Sequence, residues 1–203
     1  MKLSISKAAL SLCAVAVFAG LAFAQSLSPE DREKGIKYLE QTRQGVIDAT
    51  KGLSDAQWKF KPAPDRWSVQ QCVEHLALAE DYLYENGVQK AIAGDPSAPD
   101  RDYHKTDAAI LAMVPDRTHK AQAPEPLVPS NDGSPSDVLN HFLKGRDRSL
   151  ELMKTGSDLR SHTTDSPFGK FDGYEWLIFM AAHSERHTKQ ILEVKADPNF
   201  PKN

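Results

Sequence analysis

Four stretches of the chain place apolar residues at three- and four-residue intervals, the spacing that keeps side chains on one face of an α-helix. They run from about Pro29 to Gly52, Val69 to Gly94, Pro135 to Gly156 and Gly173 to Ala196. In the second, Val69, Val73, Leu76 and Leu83 form the stripe, with Cys72, Ala79 and Tyr82 alongside. In the fourth, the stripe is Trp176, Met180, His183, His187, Ile191 and Val194. Each stretch opens on a capping residue with a polar partner three positions later: Ser28 with Asp31, Ser68 with Gln71, Ser134 with Asp137, Asp172 with Glu175. Such a side chain accepts from backbone N–H groups that have no partner inside the helix. Ser68/Gln71 is a strict capping box and Asp172/Glu175 matches it with an aspartate cap, whereas the Asp partners of Ser28 and Ser134 make weaker variants. Pro29 and Pro135 fall at the first helical position, and Gly52, Gly94 and Gly156 stand where helices stop. No segment alternates in the manner of a strand, and there is no internal repeat.

The expected fold is therefore all-α, a four-helix bundle with a long crossover loop between helices 2 and 3. That connection, Asp95 to Gly133, is proline-rich, and Thr106 to Val114 within it predicts a short helix capped by Thr106. Connections of this length in a compact domain act as lids or binding loops, or lack order. Trp58, Phe60 and Trp67 flank Lys61-Pro62-Ala63-Pro64 and are expected to staple one end of the bundle.

The first 24 residues read differently. Lys2 and Lys7 make a basic start, Ala8 to Leu21 is mostly apolar, and Ala22-Phe23-Ala24 supplies small residues at both recognition positions of a cleavage site. The apolar run is shorter than the ~20 residues a spanning helix needs. Cys13 follows Leu12, where a lipidated cysteine would follow a small residue. Residues 1–24 are thus expected to be a signal peptide, and residues 25–203 one exported domain, periplasmic or secreted, with no membrane attachment after cleavage. Without the two lysines the charge balance moves from −3 to about −5, which disfavours nucleic acid as a partner. Cys72 alone remains, so no internal disulfide forms, and a small buried core thiol is its expected role.

The chemistry concentrates in Ala182-His183-Ser184-Glu185-Arg186-His187. Residues four apart stand one above the other on a helix, so His183 and His187 share the apolar face. Two imidazoles there resemble half of a metal site. A zinc-like ion needs several ligands converging at about 2.0–2.2 Å, and His75, beside the apolar stripe of the second helix, is the best third. Three histidines leave a position open for water or substrate, as catalytic rather than structural zinc does. The simpler alternative is that all three only pack.

Two known metal patterns do not fit. Ser184 stands where zincins carry glutamate, and Glu185 is rotated about 200° from His183. The residues three before His75, His183 and His187 are Cys72, Met180 and Ser184, so the Glu-x-x-His pattern of di-iron bundles is absent. No general base is secure. Glu74 and His141 are the candidates for a catalytic role, although Glu74 points about 100° away from His75 and reads as a solvated charge. His104 and His119 fall in the long connection, His162 is expected to pack or cap locally, and Arg186 and Lys189 read as a polar helix face.

Together these residues resemble the DinB-like (DinB/YfiT) family of metalloenzymes. Trp67-Ser68-Val69 followed by Glu74-His75-Leu76, Gly169 with Asp172 to Leu177, and His183-x3-His187 with Gln190-Ile191 carry the similarity, which spans about Glu30 to Ala196. The resemblance implies a four-helix bundle, often a homodimer, with a divalent metal on His75, His183 and His187. It also implies a small-molecule substrate, since some relatives are thiol-dependent transferases or isomerases and others look like hydrolases. A leader departs from the usual cytosolic member and favours hydrolysis over transfer from a cytosolic thiol. A non-catalytic metal or small-ligand binding module is the alternative. Imidazole ligands suit zinc, nickel or iron alike.

Overall fold

The structure is a computed structural model describing residues 26–156 and 158–202; the expected leader lies outside them. Four long helices dominate: α1 (Pro29–Thr50), α3 (Val69–Leu83), α6 (Pro135–Thr155) and α7 (Gly173–Lys195). Between α1 and α3 lies a five-residue helix, α2 (Asp55–Lys59), with its own reciprocal box of Ser54 and Gln57. Beyond Leu83 the third helix continues as a π-helical segment, Tyr84–Gln89, and ends in the turn α4 (Lys90–Ile92).

All four expected caps engage. The side chains of Ser28, Ser68, Ser134 and Asp172 accept from the backbone N–H three residues on. Ser134/Asp137 closes the full reciprocal box despite its shorter carboxylate, while Ser28/Asp31 is one-way.

Around the bundle each long helix has two main neighbours: α1 packs on α7 and α6, and α3 packs on the same two. Helices α1 and α3 therefore face each other across the diagonal although they are successive. A polar layer divides the core. Thr42, Glu80, Arg146 and Ser184, one from each long helix, meet at mid-height. One apolar cluster, with Leu39, Leu150, Met153, Leu177 and Met180, lies on one side of it. The other, with Val46, Val73, Leu76, Phe142 and Ile191, lies on the opposite side. Gly145 lets α6 approach α3 here; a Cβ at that position would sit 2.6 Å from Cβ of Glu80.

The chain also contains a small sheet, which corrects the reading without strands. β1 (Asp95–Pro96), β2 (His162–Ser166) and β3 (Gly169–Asp172) pair antiparallel in that order, with Thr163 opposite Asp172 and Asp95 opposite Thr163. Strands this short and polar, such as His-Thr-Thr-Asp-Ser, leave no apolar alternation to detect.

The crossover carries structure of its own. It holds α5 (Tyr103–Met113), capped by Asp102 rather than Thr106, and a 3₁₀ turn at Glu125–Leu127. His104 sits on α5, exposed, and His119 is exposed in the loop beyond. His162 lies on β2 with Nδ1 3.7 Å from the Asp158 carboxylate. No helix among the described residues is long and apolar enough to cross a membrane.

Candidate metal centre

The polar layer has an open neighbour. His183 precedes Ser184 on α7 and points to a different sector of the helix, toward α3. There His75 Nε2 lies 3.1 Å from His183 Nε2, and His187 Nε2 lies 3.1 Å from the same atom. One nitrogen from each ring falls within a 4.8 Å cluster. His75 and His187 are buried and His183 is half-buried.

The opposite nitrogens decide what these rings offer. His75 Nδ1 is 2.7 Å from the carbonyl oxygen of Leu127, which can only accept, so Nδ1 carries the proton and Nε2 a lone pair. His187 Nδ1 is 2.9 Å from Gln190 Oε1, and Arg117 Nη1 donates to that same oxygen at 3.1 Å. A guanidinium only donates, so the atom is the amide oxygen, and His187 must donate to it as well. Arg117 is itself held by Glu193, Nε to Oε1 at 2.6 Å and Nη2 to Oε2 at 2.7 Å. Two tautomers are thereby fixed with lone pairs converging on His183. Second contacts of this kind orient metal-binding imidazoles and raise their basicity.

Electrostatics keep the rings neutral. Burial pushes His75 below its ordinary value, partly countered by the Leu127 carbonyl. Burial pushes His183 well below, with His75, Arg186 and Arg146 adding to the effect. His187 falls well below for the same reason, with His183 and His75 next in weight. Two lone pairs crowded at 3.1 Å from a third nitrogen repel unless a proton or cation lies among them. Ligands of a tetrahedral zinc at about 2.0–2.1 Å stand roughly 3.3 Å apart, close to the spacing here. The donor set, tautomers and spacing fit a divalent ion.

Trp67 covers one side of the cluster. Its ring stacks on His187 with centroids 5.9 Å apart and tilts over His75 at 4.8 Å. The expected end-staple role belongs instead to Trp58, buried in the apolar cluster with Val46, Val73 and Phe142, and to Phe60, edge-on to Phe200 at 5.5 Å. Cys72 lies in that same core, and burial pushes its thiol up to about 12.

Neither expected base faces the rings. His141 is on the exposed face of α6, with Nε2 2.7 Å from the Asp81 carboxylate. Glu74 is buried rather than solvated: its carboxylate accepts from Ser130 N (2.8 Å), Ser130 Oγ (2.7 Å) and Asn131 N (2.9 Å). It anchors the loop whose Leu127 carbonyl reaches His75, and Asn131 takes the left-handed conformation asparagine tolerates, φ 67°. Arg186 likewise departs from a plain polar face, since its guanidinium donates to the carbonyls of Asp116 and, at 2.6 Å, His119. Arg117 and Leu127 carry no chemical signature that sequence alone could tie to the site. Gln190 belongs to the Gln190-Ile191 pair through which the sequence resembles its family, and the structure adds its role as acceptor for His187 Nδ1.

The DinB superfamily model matches residues 38–191, most of the chain. The chain belongs to the DinB superfamily. It is 26% identical over 164 residues to the protein YuaE of Bacillus subtilis (strain 168), covering 77% of this chain and 94% of that one. It also resembles the solved structure of YfiT from Bacillus subtilis, with a TM-score of 0.58 and 19% identity over 87% of this chain and 93% of that one. YfiT is described as a probable metal-dependent hydrolase with an unusual four-helix bundle topology. In this chain α1 and α3, successive among the long helices, lie on a diagonal and not side by side.

Proposed function

We propose that this DinB-superfamily protein is a mononuclear metal-dependent hydrolase whose ion is held by His75, His183 and His187. The observation that carries the reading is the pair of fixed tautomers, which present two Nε2 lone pairs to the third ring. A divalent ion bound there supplies polarisation of a carbonyl and acidification of water. The chain's own residues prepare for that chemistry. Burial keeps the three rings unprotonated at neutral pH, Leu127 and Gln190 hold two of them in orientation, and Trp67 shields one side from water. Half-buried His183 marks the side open to substrate. The description of YfiT as a probable metal-dependent hydrolase supports the same reaction class. Export after removal of residues 1–24 is part of the proposal and rests on the sequence pattern alone.

A second reading, a non-catalytic metal-binding module, draws on the engagement of Glu74 and His141 elsewhere. Metal content and calorimetric zinc titration test the first step. Wild type is expected to bind about one ion per chain, and His75→Ala, His183→Ala and His187→Ala to lose at least 100-fold in affinity. Equal, substoichiometric metal in all four proteins would exclude the site. A panel of esters and amides with the reconstituted protein then separates hydrolase from binder.

A further inference from the structure

Between Phe171 and Ser184 only Phe179 and His183 are not buried. Their rings stack, with centroids 6.2 Å apart and planes 6° from parallel. The Phe179 ring also meets those of Phe168 and Phe171, with centroids 6.1 and 6.0 Å away. Those two rings form one wall of an apolar cavity of about 310 Å³, whose other wall is α5, with Lys105, Ile110, Met113 and Val114. The end of α5 is tied to α7 at Arg186, which donates to the Val114 carbonyl at 3.5 Å. Phe179, His183 and Arg186 lie at i, i+4 and i+7, hence on one face of the helix. The two walls of the cavity are thus fixed to α7 on either side of His183 along that face. At the rim Phe168 and Met113 are 53% and 59% exposed, a large apolar area left open to solvent. A cavity of roughly 150 Å³ accommodates one benzene, so this one has room for about ten carbon atoms.

We infer that the substrate acted on at the histidine cluster is amphiphilic. Its apolar part, an alkyl or aryl group of up to about ten carbons, occupies the cavity between α5 and the β2–β3 hairpin. Its polar reacting group crosses Phe179 to reach His183. The inference rests on the metal-dependent reading for the polar end only; the cavity stands independently of it.

Straight-chain hydroxamic acids of two to twelve carbons, titrated into the zinc-loaded protein, test the link, because the head binds metal and only the tail varies. Affinity is expected to rise about three- to fourfold per methylene and to level off near ten carbons. Ala109→Phe, which fills the cavity from an exposed position on α5, is expected to flatten the series. Octanol added to metal-free protein reads the cavity alone through NMR shifts of the Ile110 and Met113 methyl groups. A flat series in zinc-loaded wild type, with or without those shifts, overturns the inference. Methyl shifts in a protein that takes up no zinc would sink the metal reading and leave the cavity supported.

Discussion

Ser184 and His183 are adjacent in sequence, yet they feed two buried polar regions built on opposite rules. On the Ser184 side, Arg146 is fully buried and every donor is used. Its Nε and Nη2 reach Glu80 Oε1 at 3.0 and 2.5 Å, Nη1 reaches the Leu39 carbonyl and Thr42 Oγ1, and Nη2 also reaches Met180 O and Ser184 Oγ. Ser149 completes Glu80 from the other oxygen at 3.0 Å. On the His183 side the rings are neutral, and two lone pairs converge with no protein donor between them other than His183 itself. A closed network holds the fold in one arrangement, whereas an open set of acceptors is poised for something else. Burial alone does not distinguish the two; the balance of donors and acceptors does.

The largest test of this contrast falls on the closed side. Arg146→Met leaves Glu80 buried without its partner and is expected to cost about 3–5 kcal/mol in denaturant unfolding. Arg146→Met combined with Glu80→Leu should recover most of that loss, because apolar replacement of both partners removes the uncompensated charge. A single variant costing under about 1 kcal/mol would show that the layer is not a closed charge network.

The open side predicts a binding effect instead. Gln190→Leu frees His187 Nδ1 from its acceptor and is expected to weaken zinc binding about 10- to 100-fold while unfolding stability moves little. Unchanged affinity would mean that the tautomer is set some other way.

Counted per ring, the smallest effect is in pH. The three rings sit below the ordinary value of 6.5 in the native state, so an unfolded chain binds protons there that the metal-free native state refuses. Stability is complete above pH 6.5 and declines as pH falls below it, by up to about 1.4 kcal/mol per pH unit for each ring. His183→Ala should flatten that slope in chelator-treated protein between pH 6.5 and 5. Identical slopes would contradict the assignment of His183 as a ring held neutral by burial.

What the sequence made legible follows from how local each signal is. The four long helices announce themselves because caps such as Ser68/Gln71 and stripes such as Val69-Val73-Leu76 need only neighbours a few residues away. His183 and His187 were visible as a pair for the same reason. Helix α2 was not, since five residues give no period, and the sheet was not, since β2 and β3 are short and polar. Glu74 shows the limit most clearly. Its helical phase points away from His75, and only the return of Ser130 and Asn131 turns that outward carboxylate into a buried anchor. Contacts of this kind belong to the crossover's path, and no spacing within one helix encodes that path.

The chain distances within the histidine cluster give it a place in time as well as in space. His183 and His187 come together as soon as α7 forms, on the sub-microsecond scale of helix growth. His75 is 108 residues from His183, and the Leu127 carbonyl is 52 residues beyond His75. Closing those loops is the slow, entropically costly part of folding. Because α7 carries two of the rings and α3 the third, whose Nδ1 is held by the crossover, the three rings meet only after these segments have packed together. A ligand that requires all three at once would therefore bind only chains whose crossover has already packed against α3.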